Sequence, residues 1–289
     1  KMKVNLIGAG KLGTVVAHWV AHSPPVLGQN AAVLVLQDVC TRSLESAQKA
    51  VQIIKAGHAT SSIVQMQAAD VWLLAVSDSQ ITSVAQALAL HLQNLGQNNS
   101  NLSPIICHFS GALASDQLQA LTDIGAYCAS VHPILSFAQF EMAVQQFKTS
   151  VCALEGHPKA IEFFNALLSS WGAQCFEVKA ENKLLYHAAA VFATNFLPVL
   201  AHTALQLWQT SGVPTEISQN LLPALLDNAV HNIKQLGSVK ALTGPAARKD
   251  IALIHQQQNS LEKFDQPIAQ AYSALTQLAL AMVELKNKE

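Results

Sequence analysis

The chain has 289 residues, and its 17 Lys and Arg against 18 Asp and Glu give a formal charge of -1, with no basic run fit to neutralise a nucleic-acid backbone. Hydrophobic residues reach 51% and charged residues only 12%, about half the roughly 25% usual in globular proteins, which excludes intrinsic disorder. Such a charge deficit leaves two classes: a membrane protein, or a protein that hides surface against a partner.

The first predicted element is a strand over Val4 to Ile7, which runs into Gly8-Ala9-Gly10-Lys11-Leu12-Gly13 and then a helix-compatible stretch, Thr14 to Val20. An apolar run that ends in a glycine turn, with no small-residue cleavage site, does not read as a signal peptide. Strand, glycine turn and helix together are the setting in which G-x-G-x-x-G holds a dinucleotide. Gly8 allows the tight turn, Gly10 lets the backbone approach a pyrophosphate, and Gly13 lets the helix pack close to the strand. The competing account is a glycine-rich turn with no ligand.

A loop with Pro24, Pro25 and Gly28 leads to a second strand, Ala32 to about Cys40. An acidic residue at its end would select NAD, and a basic or hydroxyl cluster would accommodate a 2′-phosphate. Asp38 falls inside the apolar run, whereas Thr41-Arg42-Ser43 stands at its end, before a helix over Leu44 to Ile54, so NADP is favoured over NAD. Arg42 as a solvated loop charge is the bland alternative. A weak strand signal over Ser62 to Met66 precedes a strong one over Val71 to Val76. Ser77, Asp78 and Ser79 follow, with Asp78 or Ser79 expected to cap a helix over Ile81 to Leu92. Val76, Ser77 and Asp78 thus lie at a strand end, on the cofactor side of such a sheet. After a polar loop, Gly96 to Pro104, a strand over Ile105 to Phe109 ends in Ser110-Gly111-Ala112. The next, Tyr127 to Val131, ends in His132-Pro133. Val151 to Leu154 and Gln174 to Val178 bracket a helix from Pro158 to Trp171.

This alternation predicts an α/β fold in which residues 1–178 form a doubly wound, mainly parallel sheet that binds a dinucleotide. From 179 to 289 helical periodicity takes over, which predicts an all-helical domain for substrate and dimerisation. The uncharged stretch Leu184 to Thr215 is long enough for a bilayer. His187, Asn195, Pro198, His202, Gln206 and Gln209 interrupt it at helical intervals, and lipid would leave them unsatisfied. A helix shared between the subunits of a soluble homodimer is the cheaper account, so no membrane is expected. The five cysteines (Cys40, Cys107, Cys128, Cys152, Cys175) hold no C-x-x-C pair, and four sit in apolar β-like runs. This fits a reducing cytoplasm and offers no zinc site. His108, His157, His202, His231 and His255 show no metal-ligand spacing with one another, so no metal is expected.

Candidate chemistry clusters at strand ends and on one helix face. Ser110 and Gly111 are placed to meet cofactor, and Ser110 to meet substrate. His132 could move the proton that accompanies hydride transfer, or merely bond backbone at a strand end. Lys183 and His187, four apart, share a helix face. A lysine lowered by burial could act as general acid or base, and the alternative is an exposed charge at the helix start. Asn195 could reach nicotinamide or substrate if its helix borders the site. Arg248 could clamp a substrate carboxylate, or pair with Asp250.

Several phrases carry a resemblance: Val4-Asn-Leu-Ile-Gly-Ala-Gly-Lys-Leu-Gly, His108-Phe-Ser-Gly-Ala-Leu, Ser130-Val-His-Pro, Tyr186-His-Ala-Ala-Ala-Val-Phe-Ala-Thr-Asn and Thr243-Gly-Pro-Ala-Ala-Arg. Together they resemble the Rossmann-like family that carries a DUF2520 domain, which implies an NADP-dependent oxidoreductase of open substrate. The layout is also similar to pyrroline-5-carboxylate reductase and the wider 6-phosphogluconate dehydrogenase-like group, whose helical domains pair into dimers. His132-Pro133 is similar to the His-Pro of prephenate dehydrogenases, where the His contacts the substrate hydroxyl, although Ile134-Leu135-Ser136 replaces the small residues that follow there. Lys183-Leu-Leu-Tyr-His187 resembles the Lys-x-x-x-Asn of β-hydroxyacid dehydrogenases, with His in place of Asn. The leading expectation is an NADP(H)-dependent oxidoreductase acting on a small, carboxylate-bearing substrate in the cleft between its domains. A non-catalytic NADP(H) sensor or scaffold, and a deazaflavin-dependent reductase, share the same turn.

Overall fold

The computed structural model describes residues 1–23, 33–96, 103–135 and 139–286. The Pro24-Pro25 loop with Gly28, most of the 96–104 loop, and Ser136 lie outside the described residues. The chain divides into two compact units, Lys1–Val191 and Phe192–Glu289.

The first unit is built on eight strands: β1 Met2–Ile7, β2 Leu34–Cys40, β3 His58–Thr60, β4 Val71–Leu74, β5 Ile105–His108, β6 Tyr127–Ile134, β7 Val151–Gly156 and β8 Gln174–Glu177. They form one sheet in the order β3-β2-β1-β4-β5-β6-β7-β8, parallel throughout except where β7 runs antiparallel to β6. Its helices are α1 Lys11–His22, α2 Leu44–Ile54, α3 Ile81–Asn94, α4 Gln119–Thr122, α5 Phe140–Phe147, α6 Pro158–Ser170 and α7 Lys183–Ala190. The central strands are apolar on both faces because both are covered. In β1 and β4, Val4, Leu6, Val71 and Leu73 join Val16, Phe147 and Phe164 in one core. Ile7, Trp72 and Leu74 join Leu88, Leu92 and Leu121 in the other. The chain reverses its direction of winding between β1 and β4, so the crevice of this sheet opens at their carboxyl ends.

Three local expectations need correction. Ser62 to Met66 is no strand: Ile63–Gln65 is a 3-10 turn, and the third strand is His58–Thr60. Side-chain competition explains the turn, since the Thr60 hydroxyl accepts from the Ser62 amide at 3.2 Å. Neither Asp78 nor Ser79 caps α3, which starts at Ile81 behind a 3-10 turn over Asp78–Gln80. The Asp78 carboxylate is instead taken by Ser110. Finally, β6 continues through His132 and Pro133 to Ile134, so these two residues do not end the strand. They lie past the last β5 partner, Ser130, where β6 pairs with β7 alone, and Pro133 is tolerated there.

The second unit is helical: α8 Phe196–Thr210, α9 Thr215–Leu236, α10 Ser238–Ala241, α11 Gly244–Ala247, α12 Ile251–Phe264 and α13 Gln266–Lys286. Phe196, Leu197, Val199, Leu200, Leu225, Ile233 and Leu278 are all exposed on it. Between α7 and α8 a π-helical turn, Val191–Asn195, crosses the boundary of the units. Pro198 has no N–H to give to a carbonyl one turn back, and a widened turn ahead of it relieves that misfit. The division falls later than residue 178, where strand signals end, because α7 is bonded to the sheet of the first unit. By length and composition the stretch Ala180–Thr210 could cross a membrane. Its first turns are nevertheless engaged by Ser130 and His132 of the sheet and by Ser110 on the loop after β5.

Candidate active site

The glycine turn closes as its spacing requires. Gly8 has φ +90°, and a Cβ there would lie 2.5 Å from the Ala75 carbonyl oxygen. A Cβ on Gly13 would lie 2.4 Å from the Gly8 carbonyl oxygen, whereas one on Gly10 would meet nothing within 4 Å. Gly8 and Gly13 therefore serve packing, and Gly10 faces open space. Gly10 also stands at the N-terminus of α1, which has no acidic residue in its first turn. This leaves the helix's positive end free for an anion. Lys11 is exposed at the same end, while Leu12 packs on the core.

A cavity of about 590 Å³ opens over this turn, lined by Gly8, Ala9, Gly10, Thr41, Arg42, Val76 and Ser77 among others. Asp38 is absent from it. Asp38 is 5% exposed, and its carboxylate accepts from the Gln67 amide at 2.7 Å. Its own amide donates to Asn5 Oδ1, and Asn5 donates to the Gln67 carbonyl. The acid of this strand is thus a strut, and the residues that meet the cavity are Thr41 and Arg42. Ser43 caps α2 by accepting from the Ser46 amide. A second cavity, about 390 Å³ against α6 and β8, contains none of the expected site residues.

Beside the glycine turn, a polar cluster has formed on the loop after β5. Ser110, nearly buried, donates to Asp78 Oδ2 at 2.8 Å and accepts from the Ala112 and Leu113 amides. That bond joins the loop to the residues that follow β4. Lys183 is 1% exposed, so it is a buried lysine and not the exposed charge of the alternative reading. Its ammonium donates to Ser130 Oγ at 2.8 Å and to the Ser110 carbonyl at 3.4 Å. No salt bridge reaches it among the described residues. Burial lowers its pKa, against a partial pull upward from Glu155 and Asp78.

One turn along α7, Tyr186 and His187 meet His132. The Tyr186 hydroxyl lies 2.7 Å from His132 Nδ1, and the two imidazoles are 6.0 Å apart, edge to face. Burial, then His187 and Lys183, push His132 down to about 4, so it is neutral at pH 7. Burial raises Tyr186 to about 12, so it keeps its proton. The buried Nδ1 of His187 has no hydrogen-bond partner among the described residues. Between the rings stands Gly111, where a Cβ would lie 2.8 Å from both His132 Nε2 and His187 Nδ1. The loop owes its shape to His108, which in the sequence reads as one of several scattered histidines. His108 is fully buried, accepts from the Ser110 amide at Nδ1, and faces the Ala114 carbonyl at Nε2.

Ser110, Gly111, His132, Lys183 and His187 are therefore brought together. Asn195 and Arg248 belong to the second unit. Asn195 accepts from Thr194 Oγ1, and the Arg248–Asp250 ion pair does not form, because Asp250 caps α12. Tyr186 and His108 are the residues that pattern reading missed. Tyr186 carried one signal, its i,i+3 spacing from Lys183 on the same helix face.

The family model for the Rossmann-like domain matches residues 1–133, and that for a domain of unknown function, DUF2520, matches residues 150–279. No curated protein matches the chain. Among solved structures the chain is similar to protein TM1727 of Thermotoga maritima, at 23% identity and TM-score 0.72, over 98% of this chain and 99% of that one. BF3122 of Bacteroides fragilis, named provisionally as an NADP oxidoreductase, matches at 20% identity and TM-score 0.70, over 97% and 98%. A pyrroline carboxylate reductase of Plasmodium falciparum, solved with NADP bound, matches at 15% identity and TM-score 0.56, over 98% of each chain.

Proposed function

We propose that this chain, a Rossmann-like domain followed by a DUF2520 domain, is an NADP(H)-dependent oxidoreductase that moves a hydride to or from a small, carboxylate-bearing substrate. One observation carries the reading: the cluster of His132, Lys183 and His187 hangs on the Ser110 loop, and Ser110 is bonded to Asp78 beside the dinucleotide cavity. Proton-transfer groups next to a hydride carrier are what such a reaction needs. A sensor would need only the cavity. Arg42 is assigned the 2′-phosphate, since Asp38 is occupied in the strand. Arg248, whose Asp250 neighbour is engaged elsewhere, is the proposed clamp for the substrate carboxylate, and Asn195 a further contact. With five free cysteines the protein suits the cytoplasm.

Nicotinamide fluorescence should show NADPH binding more tightly than NADH, and Arg42→Ala should weaken NADPH about tenfold, the equivalent of one exposed charge-assisted contact. Equal affinities in the wild type would remove the role given to Arg42. NADPH oxidation is expected with at least one of a panel of oxo acids and imines. Silence across the panel with NADPH still bound would turn the reading to a sensor.

The exposed apolar side chains of α8 and α9 support a homodimer formed through the helical unit. Sedimentation at micromolar concentration should give twice the 30.9 kDa chain mass, and a monomer alone would refute it.

A further inference from the structure

None of the five cysteines takes part in the chemistry above, yet two of them meet. Cys152 on β7 and Cys175 on β8 are direct partners in the parallel register. Neighbouring strands run about 4.8 Å apart, and a disulfide spans Cα atoms roughly 4.4–6.8 Å apart, so the backbone already stands at bonding distance. Both side chains pack into the same core as Phe164 and Leu167 of α6. Cys40, Cys107, Cys128 and Cys152 are buried, whereas Cys175 is only partly so and lines the cavity of about 390 Å³ against α6 and β8. A hydrogen bond from the Cys152 thiol outweighs burial and, with one from the Ser169 hydroxyl, holds the Cys175 thiol below its ordinary range. Cys152, at the other end of that bond, is pushed up. One thiol of the pair therefore gives up its proton readily while the other keeps it. Burial drives Cys40 and Cys128 up to about 11 and Cys107 well up, which leaves those three inert.

We propose that Cys175 is a modification site for small hydroperoxides, and that Cys152 completes the reaction as a disulfide between β7 and β8. The Cys175 thiolate sulfur bonds to one oxygen of the hydroperoxide, and the O–O bond breaks. The departing oxygen takes up a proton, which leaves a sulfenic acid on Cys175. Cys152 then gives up its proton as its sulfur bonds to the Cys175 sulfur, and the displaced hydroxide leaves with that proton as water. The two thiols lose two electrons in all, and the hydroperoxide is reduced to water and an alcohol, or to water alone. Charge in the cavity selects the oxidant. Glu162 and Glu177 line it, and no Lys or Arg joins them among the described residues. An anionic oxidant such as glutathione disulfide is repelled there, and a neutral hydroperoxide is not. In a reducing compartment thiol exchange restores the dithiol, as it does for transient, redox-sensing disulfides. This chemistry does not involve the dinucleotide cavity, so it stands apart from the reductase reading.

The full chain, reduced and then exposed to hydrogen peroxide, is to be digested without reductant and mapped by mass spectrometry. A linked pair of peptides holding Cys152 and Cys175, lighter by two hydrogens and released by dithiothreitol, is expected before any other cysteine reacts. Cys152→Ser should strand the sulfenic acid on Cys175, where dimedone captures it. Cys175→Ser should abolish the link and slow thiol loss at least about tenfold. Glutathione disulfide at the same concentration should react at least about tenfold more slowly than peroxide. The wild-type map needs no substitution, so it decides the matter even where Cys152→Ser, a change in the core, fails to fold. Oxidation first at Cys40, Cys107 or Cys128, or thiols that react with peroxide only in urea, would overturn the site. A sulfenic acid that persists on Cys175 in the wild type, with no link, would overturn the role of Cys152. A glutathione adduct formed on Cys175 as fast as the link would overturn the choice of oxidant.

Discussion

Gly111→Ala is expected to abolish turnover, by at least about a hundredfold, while the protein still folds and still binds NADPH. The added methyl would lie 2.7 Å from His132 Cε1 and 2.8 Å from both His132 Nε2 and His187 Nδ1, closer than carbon atoms tolerate. Neither ring is the free end of a flexible chain, for His132 is held by Tyr186 and His187 is rooted in α7. The rings must separate, and misplacing a reacting group by about 1 Å costs on the order of a hundredfold in rate. Overpacking of this kind should also lower stability by about 1–3 kcal/mol, seen as a melting shift of a few degrees. Nucleotide affinity should hold, because Gly111, read from the sequence as a cofactor contact, is not among the residues that line the cavity over the glycine turn. Wild-type rates in Gly111→Ala would show that the two rings do not converge on a reacting group.

Acid should destabilise the first unit well before its carboxylates are titrated. His108 and His132 are each held near about 4, chiefly by burial, against an ordinary value of 6.5. The unfolded chain therefore binds more protons than the folded one between those values. Stability rises with pH across that window and is lost as pH falls from about 6.5 toward about 4. The loss is about 3 kcal/mol for each ring. His18 adds to it with the same sign, lowered by burial and by His22. A proton on His108 Nδ1 would also set two N–H groups against each other, since that nitrogen accepts from the Ser110 amide. Urea unfolding at pH 7 and pH 4.5 should show the loss, and His108→Gln should remove about half of the difference. A stability that stays flat across the window would mean that water reaches both rings.

Pattern reading recovers most of the scaffold because its signals are local. The glycine turn, the doubly apolar strands and the shared face of Lys183 and His187 each depend on residues only a few positions apart. What it misses depends on distant partners. Lys183 reads equally as a buried base or an exposed charge until Ser110 and Ser130, more than fifty positions away, close over it. His132 reads as a strand terminus because only the antiparallel pairing with β7 extends β6 beyond Ser130. Asp38 reads as an acid inside its strand and Asp78 as a candidate helix cap. Their actual partners, Gln67 and Ser110, arrive from other crossovers. His108 shows no spacing with another candidate residue, since its work is to fold the loop two residues ahead of it.

The order of the strands also bears on how so apolar a chain behaves when crowded. The sheet ends on β3, three residues long, and β8, four residues long, so little unpaired backbone is offered for another strand to add. Stray association at high concentration should then run through side chains on the exposed helices. It should leave the amide spectrum of the native fold intact and stay reversible on dilution, unlike the cross-β deposits that a long open edge would template.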